Sequence, residues 1–417
     1  KIAENNQTSL LREIELPLAE VLASMELYGF EIDTDALRQY GKMLDEKIEE
    51  YQNLIYQLAG ESFNINSPKQ LGEVLFEHLG LPSKKKTKTG YSTSAEVLES
   101  LRGKHDIIDS ILEYRKVTKL KSTYVDGLLK VVGKDGRIHS HFNQTDTRTG
   151  RLSSTEPNLQ NIPVRTELGS RLRAFFRAKN GCRLVDADYS QIELRVLAHI
   201  SNDEYMIEAF NSDADIHTNT AAQVFHMPAL FVTPEMRRKA KAVNFGIVYG
   251  ISDFSLAQDI GVTRKEAGEF IKTYLDTYPG VKKYMEDIKQ TGREQGYVST
   301  LFGRRRALPE ISSSNKNIVN FGKRVAMNTP IQGTAADIIK IAMVRVRDRL
   351  LRDGLQSRLI LQVHDELILE APKDEQETGR HSIVARAEHS FFMSVVGKSI
   401  RSALGPNMRY LACGGAP

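Results

Sequence analysis

The sequence has no tryptophan and only two cysteines, Cys182 and Cys413, among its 417 residues. Two cysteines so far apart provide neither a disulfide framework nor a zinc site, and their scarcity favours a reducing compartment such as the cytoplasm. No apolar run approaches the roughly 18 residues that a membrane span requires, and no signal-peptide pattern opens the chain. A formal net charge of +4 is too small to indicate a nucleic-acid partner by itself. The first residue is Lys1 rather than methionine, which indicates a fragment of a longer protein.

The composition is otherwise that of an ordinary globular chain. Hydrophobic residues make up 41% and charged residues 26%, which excludes the collagen-like, purely coiled-coil and disordered classes. The length predicts two or three structural units. Apolar residues recur at helical spacing from Asp35 to Leu58, and Gly60 is a natural end for that helix. With further helical patterns from Gln70 to Leu79 and from Ser94 to Lys130, this predicts a helical lobe over residues 31–131.

Short strands and turns replace the helical pattern beyond His139. The segment Arg183–Tyr189 has the pattern of a strand that leads into a helix. The segment Arg358–Glu370 has the pattern of a hairpin, with Leu359, Leu361 and Val363 on one face. Helical patterns dominate residues 201–330. We therefore expect an α+β fold with large helical insertions.

Two acidic constellations lie at the ends of these strands. Alternation places Asp186 and Asp188 on one face just before the chain turns into a helix, where they could cap that helix or hold a cation. Asp365 and Glu366 follow His364 at the hairpin tip, where local turn chemistry is the alternative to a functional role. If the two turns meet in space, their carboxylates suit a pair of Mg²⁺ ions about 3.5–4 Å apart that clamps the oxygens of a phosphoryl transfer.

The clearest pattern follows Thr233, a good N-cap, and Pro234, which suits the first position of a helix. A slowly spiralling stripe over about 120° of this helix is formed by residues spaced four apart, namely Arg237, Lys241, Phe245 and Tyr249. The cations can neutralise a triphosphate and the aromatic rings can stack on a base, whereas a solvated cationic face with a core aromatic pair is the alternative. We interpret Gly246 and Gly250 as keeping the adjacent surface low for the approach of a ligand.

In this order, the segments resemble the polymerase domain of family-A DNA polymerases, the bacterial polymerase I class. Three motifs carry the resemblance: Asp188-Tyr189-Ser190-Gln191-Ile192-Glu193-Leu194-Arg195, Arg237-Arg238-Lys239-Ala240-Lys241-Ala242-Val243-Asn244-Phe245-Gly246-Ile247-Val248-Tyr249-Gly250, and Gln362-Val363-His364-Asp365-Glu366. Shorter segments support it: Thr149-Gly150-Arg151-Leu152-Ser153-Ser154, Pro157-Asn158-Leu159-Gln160-Asn161-Ile162-Pro163, Asp215-Ile216-His217-Thr218, and Gln332-Gly333-Thr334-Ala335-Ala336-Asp337. The resemblance extends over residues 1 to about 375.

The resemblance implies a right-hand polymerase fold with a palm of antiparallel sheet plus helices, a helical thumb and helical fingers. Its division of the chain is palm over 1–30, thumb over 31–131, palm over 132–195, fingers over 196–330 and palm over 331–417. The implied function is template-directed DNA synthesis, which transfers deoxynucleotidyl units from dNTPs to a primer 3′-hydroxyl and releases pyrophosphate by a two-metal mechanism. The implied partners are primer–template DNA and dNTPs, and the implied cofactors are two Mg²⁺ ions, with Mn²⁺ as a substitute. We expect a monomer in the cytoplasm, with no membrane partner.

The same resemblance assigns roles to individual residues. The catalytic positions are matched by Asp188, Asp365, Glu366 and Lys241, and the metal ligands by Asp188, Asp365 and the backbone carbonyl of Tyr189. Contacts to the incoming dNTP are implied for Arg237, Lys241, Phe245, Tyr249, His217, Glu193, Gln191 and Ser190. Contacts to DNA are implied for Arg151, Asn158, Gln160, Asn328, Gln332, His364 and Tyr249. Among these, Glu193 corresponds to the steric gate that crowds a ribose 2′-hydroxyl.

The chain departs from the family pattern in two places. It carries no proofreading or 5′-nuclease segment, so we expect no exonuclease activity from it. From about residue 376 the family's Val-Pro-Leu strand and Gly-x-x-Trp ending are missing, and we expect an atypical, replaced or frame-shifted tail that weakens the palm. The lysine-rich loop Lys84–Lys88 is either solvated or in contact with phosphate, and its position near the family's thumb tip favours phosphate contact.

Two other functions compete with this interpretation. A single-subunit RNA polymerase shares the two aspartates, the lysine and the Tyr-Gly pair, but Glu193 and the Gln332 segment favour the DNA enzyme. A primer–template-binding protein without catalysis is the non-enzymatic alternative. Metal-dependent incorporation and the preferred nucleotide sugar separate the three.

Overall fold

The computed structural model describes residues 1–83, 86–87, 90–163, 166–212 and 215–377. Their α-helices are α1 (Leu16–Tyr28), α2 (Thr34–Ala59), α3 (Pro68–Glu73), α4 (Ala95–Glu99), α5 (Ile107–Lys119), α6 (Gly127–Val131), α7 (Glu167–Arg171), α8 (Ile192–Ser201), α9 (Glu204–Asn211), α10 (Ile216–Val224), α11 (Pro234–Val248), α12 (Asp253–Ile260), α13 (Arg264–Thr277), α14 (Pro279–Gln295), α15 (Lys316–Arg352) and α16 (Lys373–Glu377). Their strands are β1 (Phe30–Glu31), β2 (Lys86–Thr87), β3 (Gly90–Tyr91), β4 (Arg137–Ile138), β5 (His141–Asn143), β6 (Ser153–Thr155), β7 (Cys182–Asp188), β8 (Tyr297–Ser299), β9 (Arg305–Ala307), β10 (Arg358–Val363) and β11 (Glu366–Pro372). The α+β class expected from the sequence is confirmed.

Two features named above fall outside the described residues. They are the lysine-rich loop, apart from the backbone of Lys86 and Thr87, and the tail beyond residue 377. Within the described part of the chain, no helix combines the length and the apolar character of a membrane span.

The chain forms two compact units. The first unit comprises Lys1–Tyr28, His141–Thr155 and the described residues from Ala178 onward. The second unit comprises Gly29–Ser140 and Glu156–Arg177. The sequence-based division into palm, thumb and fingers is separate from this division into two units.

The second unit is built around the helix predicted between Asp35 and Leu58. The Asp33 side chain caps α2 by accepting a hydrogen bond from the Ala36 backbone N–H at 3.0 Å, and Gly60 ends the helix with a left-handed φ of 76°. Helix α2 packs against α5, and its Ile55 side chain enters a buried aliphatic core. The core is completed by side chains of the following helices, including Leu71, Leu75, Leu98, Ile107 and Ile111.

The first unit contains a three-stranded antiparallel sheet in the order β10–β11–β7. Strands β10 and β11 form the predicted hairpin, in which Val363 pairs with Glu366 across the turn. On the other side of β11, Glu366 lies opposite Asp188, the last residue of β7. A bulge between Leu359 and Leu361 interrupts the alternation expected for β10, and every residue from Leu359 to Val363 is buried. The sheet therefore brings the ends of the two acidic segments together.

Helices α1 and α15 pack against β10. Helix α15 is 37 residues long and contains Pro330, a residue that normally breaks a helix at a penalty of about 3 kcal/mol. All residues from Thr329 to Lys340 are buried, so the packing of this central stretch outweighs the penalty. The helix continues through the boundary at 330/331 that the sequence suggests for the fingers.

Four charged residues, two of them buried and two partly buried, link α15 to its neighbours. The Arg304 Nε donates to Asp337 Oδ1 at 2.8 Å, and the Lys340 Nζ donates to Glu15 Oε1 at the same distance. Arg304 also forms an ion pair with Glu15, so two cations and two anions make one neutral cluster. The Asp337 and Lys340 side chains are 0% and 1% exposed. This cluster fixes the middle of α15 beside the turn between β8 and β9.

Candidate active site

A cleft of about 530 Å³ opens in the first unit where the sheet faces α11. Its lining consists almost entirely of residues singled out in the sequence: Arg151, Asp188, Tyr189, Ser190, Gln191, Ile192, Glu193, His217, Arg237, Lys241, Phe245, Tyr249, His364 and Asp365. The fold thus gathers segments as far apart as residues 151 and 365 around one space.

One wall of the cleft carries the two aspartates. Asp188 ends β7, and Asp365 lies in the hairpin turn, where its carbonyl oxygen accepts a hydrogen bond from the Tyr189 backbone N–H at 3.3 Å. His364 opens this turn with a left-handed φ of 54°. Burial raises the pKa of Asp188 to about 7, and repulsion from Asp365, Glu366 and Asp186 adds to the effect. Burial also raises the pKa of Asp365.

These aspartates suit a hard cation. The Asp188 Oδ1 is buried and has no hydrogen-bond partner among the described residues, and an unpaired buried carboxylate oxygen is costly unless a cation or proton satisfies it. No group of three or more histidine, cysteine or acidic residues in the described part of the chain is arranged to hold a metal by itself. Mg²⁺ is commonly bound by one or two carboxylates together with substrate phosphates and water, which this pair can accommodate.

The facing wall is the helix predicted from Thr233. The Thr233 hydroxyl oxygen accepts from the Met236 backbone N–H at 3.3 Å, and α11 begins at Pro234. The predicted stripe lines the cleft, and the Lys241 Nζ lies 5.9 Å from the centroid of the Phe245 ring. The cations are on the N-terminal half of the helix and the rings on the C-terminal half, as the spacing indicates.

The two glycines in and just after α11 have a different role from the one we expected. Gly246 is buried, and a Cβ on it would come within 2.7 Å of Ile251. Gly250 has a φ of 65°, and its missing Cβ leaves room for Met327. Both glycines are required by the turn and packing at the end of α11, and neither lines the cleft.

Arg237 is paired with a residue that sequence reasoning left out of the site. Its Nε donates to Asp215 Oδ2 at 2.5 Å. Asp215 caps α10 and also accepts from the Thr218 hydroxyl at 2.6 Å and the His217 backbone N–H at 3.1 Å. These contacts outweigh burial and lower the pKa of Asp215 to about 2, so the carboxylate is ionised at neutral pH. The feature of the sequence that could have identified Asp215 as a site residue is its position two residues before His217.

His217 is held against α11 by a second unforeseen residue. Its Nδ1 lies 2.8 Å from the Nδ2 of Asn244, whose Oδ1 accepts a hydrogen bond from the Thr220 hydroxyl at 3.0 Å. The ring of His217 is 5.9 Å from that of Phe245, centroid to centroid. Burial, reinforced by the nearby cations of Arg237 and Lys241, lowers the pKa of His217 to about 4 despite the opposing charge of Asp215.

Glu193 lies at the start of α8 and joins two other residues of the cleft. Its carboxylate accepts hydrogen bonds from the Arg151 guanidinium and from the Tyr249 hydroxyl, the latter at 3.1 Å. The Glu193 side chain is 7% exposed and that of Arg151 is 36% exposed, so the ion pair is buried on the carboxylate side only. Gln191 precedes the helix in the left-handed region, with a φ of 56°, and together with Ser190 it forms the turn between β7 and α8.

Several predicted contact residues lie outside the cleft lining. Asn328 and Gln332 are on α15, where the Asn328 side chain donates to the Val248 carbonyl at 3.5 Å and Gln332 is buried. Glu366 faces Asp188 across the strand pair but does not line the cleft. Asn158 and Gln160 belong to the second unit, where the Asn158 side chain accepts from the Gln160 backbone N–H at 3.0 Å.

The fold and the cleft are those of a nucleotide polymerase domain. The structure is similar to the POL domain of Pol1 from M. smegmatis, solved in complex with DNA primer-template and dNTP, with a TM-score of 0.86 and 44% sequence identity. The similarity covers 98% of this chain and 70% of that one. Residues 34–402 match the family described as DNA polymerase family A.

Curated relatives agree with this match. The chain is 56% identical over 409 residues to DNA polymerase I of Bacillus subtilis (strain 168), which covers 98% of this chain and 46% of the relative. It is 58% identical over 379 residues to DNA polymerase I of Geobacillus stearothermophilus, which covers 90% of this chain and 43% of the relative. The chain therefore belongs to DNA polymerase family A, and it spans less than half the length of these relatives. The family match reaches residue 402, inside the tail that departs from the expected motif.

Proposed function

We propose that this chain carries out template-directed DNA synthesis, transferring deoxynucleotidyl units from dNTPs to a primer 3′-hydroxyl with release of pyrophosphate. The observation that carries the proposal is the cleft itself, in which Asp188 and Asp365 face Arg237, Lys241 and His217. Anionic ligands for metals on one wall and donors for phosphate on the other are the two requirements of phosphoryl transfer. Family membership favours DNA synthesis over RNA synthesis and over binding alone.

On the α11 side, Arg237, Lys241 and His217 bind the triphosphate. Arginine and lysine supply charge-assisted donors to phosphate oxygens, and Lys241 also acts as a catalytic residue by stabilising charge on the transferring group. Phe245 stacks on the nucleotide, and Tyr249 lies beside the templating base. Rotation of the fingers helix onto a correct pair would make these contacts conditional on base pairing.

On the sheet side, Asp188, Asp365 and the Tyr189 carbonyl hold two Mg²⁺ ions, or Mn²⁺ in their place, with Glu366 as an accessory carboxylate. When bound, such a metal pair supplies Lewis-acid activation of the primer oxygen and stabilisation of the leaving pyrophosphate. The chain's own contribution is to keep both carboxylates at the end of one rigid sheet. Ser190 and Gln191 form the adjoining nucleotide-contacting turn.

Glu193 acts as the gate for the sugar. Its buried carboxylate is held by Arg151 and Tyr249. We assign to this carboxylate the role of crowding a ribose 2′-hydroxyl. The position of this wall is fixed by two hydrogen bonds rather than by packing alone, which makes it stiff. Discrimination against ribonucleotides follows from that stiffness.

Binding of primer–template DNA is a second role of this chain. We assign this role to Arg151, Asn158, Gln160, Asn328, Gln332, His364 and Tyr249. Contacts of arginine, asparagine and glutamine to the minor-groove edge distinguish base pairs poorly, as suits an enzyme that copies any sequence. The protein acts as a cytoplasmic monomer, with palm over 1–30, 132–195 and 331–417, thumb over 31–131 and fingers over 196–330.

Extension of a labelled primer–template tests the proposal directly. With Mg²⁺ and the four dNTPs we expect extension, and with the four rNTPs we expect little or none. Asp188→Asn and Asp365→Asn should each abolish extension while leaving binding of the duplex largely intact. Asp253→Asn, on the exposed surface of α12, is the matched control and should extend normally. Retained turnover in either active-site variant would refute the metal assignment, and no extension by the unaltered chain would refute the proposed function.

A further inference from the structure

Asn244 is fully buried in α11, yet it shares both of its polar side-chain atoms with α10. Its Oδ1 faces the Thr220 hydroxyl, which donates to it at 3.0 Å. Its Nδ2 faces the Nδ1 of His217 at 2.8 Å. An amide nitrogen has hydrogens but no acceptor capacity, so the histidine atom at this distance must be the acceptor.

That single contact decides the form of the imidazole. A ring whose Nδ1 accepts a hydrogen bond carries its proton on Nε2 and has no net charge. Protonating Nδ1 would set its N–H against the amide N–H of Asn244, so the same amide opposes the imidazolium form. The low pKa of His217, about 4, agrees with a neutral ring.

Thr220 keeps the amide in this orientation. The Thr220 side chain is itself buried beside the amide, and its hydroxyl hydrogen is directed at Asn244 Oδ1. Donation then runs from Thr220 to Asn244 Oδ1, and from Asn244 Nδ2 to His217. Once one hydrogen bond of this series has a fixed donor, the donor and the acceptor of the next hydrogen bond are fixed as well.

We propose that Asn244 is a positioning residue that holds His217 as the neutral tautomer with Nε2–H, so that the ring presents a donor to the triphosphate. Phosphate oxygens only accept hydrogen bonds, and the opposite tautomer would present a lone pair that repels them. Arg237 and Lys241 supply the positive charge on this wall, and His217 supplies a directed neutral donor. The inference rests on the proposed function for its triphosphate, but the tautomer itself does not.

The tautomer can be measured on the free protein. Long-range ¹H–¹⁵N correlation spectra of the chain labelled with ¹⁵N-histidine, at neutral pH, distinguish a protonated from an unprotonated ring nitrogen. The His217→Gln variant identifies the His217 signals among the ten histidines. We expect an unprotonated Nδ1 and a protonated Nε2 in the unaltered chain, and a mixture of tautomers in Asn244→Leu. A protonated Nδ1 in the unaltered chain would overturn the proposal.

Single-turnover incorporation separates positioning from packing. Asn244→Leu should raise the apparent dissociation constant for dNTP by roughly 3- to 10-fold, the range expected for one misdirected hydrogen bond. In a His217→Gln background the same substitution should have little further effect, because there is no imidazole left to orient. An equal loss in both backgrounds would mean that Asn244 only fills space and would overturn the proposal.

Two controls keep the result unambiguous. The circular dichroism spectrum and melting temperature of Asn244→Leu show whether the variant is folded, and the spectra of the unaltered chain test the tautomer even if it is not. The expected tautomer in a chain that incorporates no dNTP would refute the proposed function while supporting the assignment of the ring.

Discussion

Replacing Lys340 by methionine should destabilise the first unit by about 3 kcal/mol. Lys340 is 1% exposed and donates to Glu15 Oε1 at 2.8 Å within the neutral cluster that also contains Arg304 and Asp337. Removing the lysine leaves the cluster with one excess buried negative charge. Methionine has a similar length and no charge, so packing changes little and the electrostatic effect dominates.

The size of the expected destabilisation follows from the partners that Glu15 keeps after Lys340 is replaced. Breaking a buried ion pair by removing one partner typically costs about 3–5 kcal/mol. Glu15 retains the Arg304 guanidinium and a hydrogen bond of 2.6 Å from the Gln144 side chain, so we expect the lower end of that range. Adding Glu15→Gln restores neutrality. The double variant should therefore lose about 1–3 kcal/mol less unfolding free energy than the sum of the losses of the two single variants.

The absence of tryptophan provides a local assay. Leu301 lies 45% exposed in the turn beside the cluster, so Leu301→Trp gives a single fluorophore that reports on the first unit alone. Denaturant unfolding followed at this probe yields the free energy for each variant. Lys316→Met, at the exposed start of α15, is the control and should change it by less than about 0.5 kcal/mol. A Lys340→Met chain as stable as the control, or equal effects of Lys340→Met with and without Glu15→Gln, would refute the reasoning.

Three further predictions concern the cleft. Glu193→Ala should lower the ratio of kcat/KM for dNTP over rNTP by at least about tenfold because the wall against the 2′-hydroxyl is gone, and an unchanged ratio would contradict the gate. His217 has a pKa of about 4 in the folded chain against about 6.5 unfolded, so its contribution to stability is complete above pH 6.5 and is lost as the pH falls toward 4. This loss amounts to about 3 kcal/mol of unfolding free energy between pH 6.5 and pH 4. The unfolding free energy of His217→Gln should lack this dependence on pH, and an equal pH dependence in both chains would contradict the prediction. Asp215→Asn should release Arg237 and tighten dNTP binding about two- to fivefold in single-turnover titrations, since a partly exposed ion pair is worth at most about 1 kcal/mol. Weaker binding would instead show that Asp215 holds the arginine in its working position. The control variant Asp253→Asn should leave dNTP binding unchanged.

Local patterns in the sequence predicted the elements that build the cleft. The Thr233-Pro234 start and the four-residue spacing indicate α11 because caps and periodicity are properties of adjacent residues. The hairpin around His364 was predictable for the same reason. Helix α1 was not recognised, and the full length of α15 was hidden because Pro330 suggests a break that burial of its neighbours overrides.

Residue partnerships within the cleft were not predictable from spacing. Asn244 and His217 are 27 positions apart, and Arg151 and Glu193 are 42 apart. No periodicity links such positions, because their contact depends on how separate elements pack. A polar residue at a buried helix position, such as Asn244, is a sequence signal that some partner must exist, but it does not say which one.

The charged groups assigned to substrate already have partners within the protein. Arg237 is bound by Asp215, and Glu193 is bound by Arg151 and Tyr249. On the proposed assignment, a phosphate oxygen that takes the Nε donor of Arg237 replaces the carboxylate of Asp215, so this donor contributes the difference between two ion pairs rather than the whole of one. Weak ligands that offer a single phosphate cannot drive this exchange as well as a triphosphate that engages several donors at once. The internal pairs thus keep these charges paired in the free protein, and the proposed function then favours a nucleotide that makes all of its contacts together.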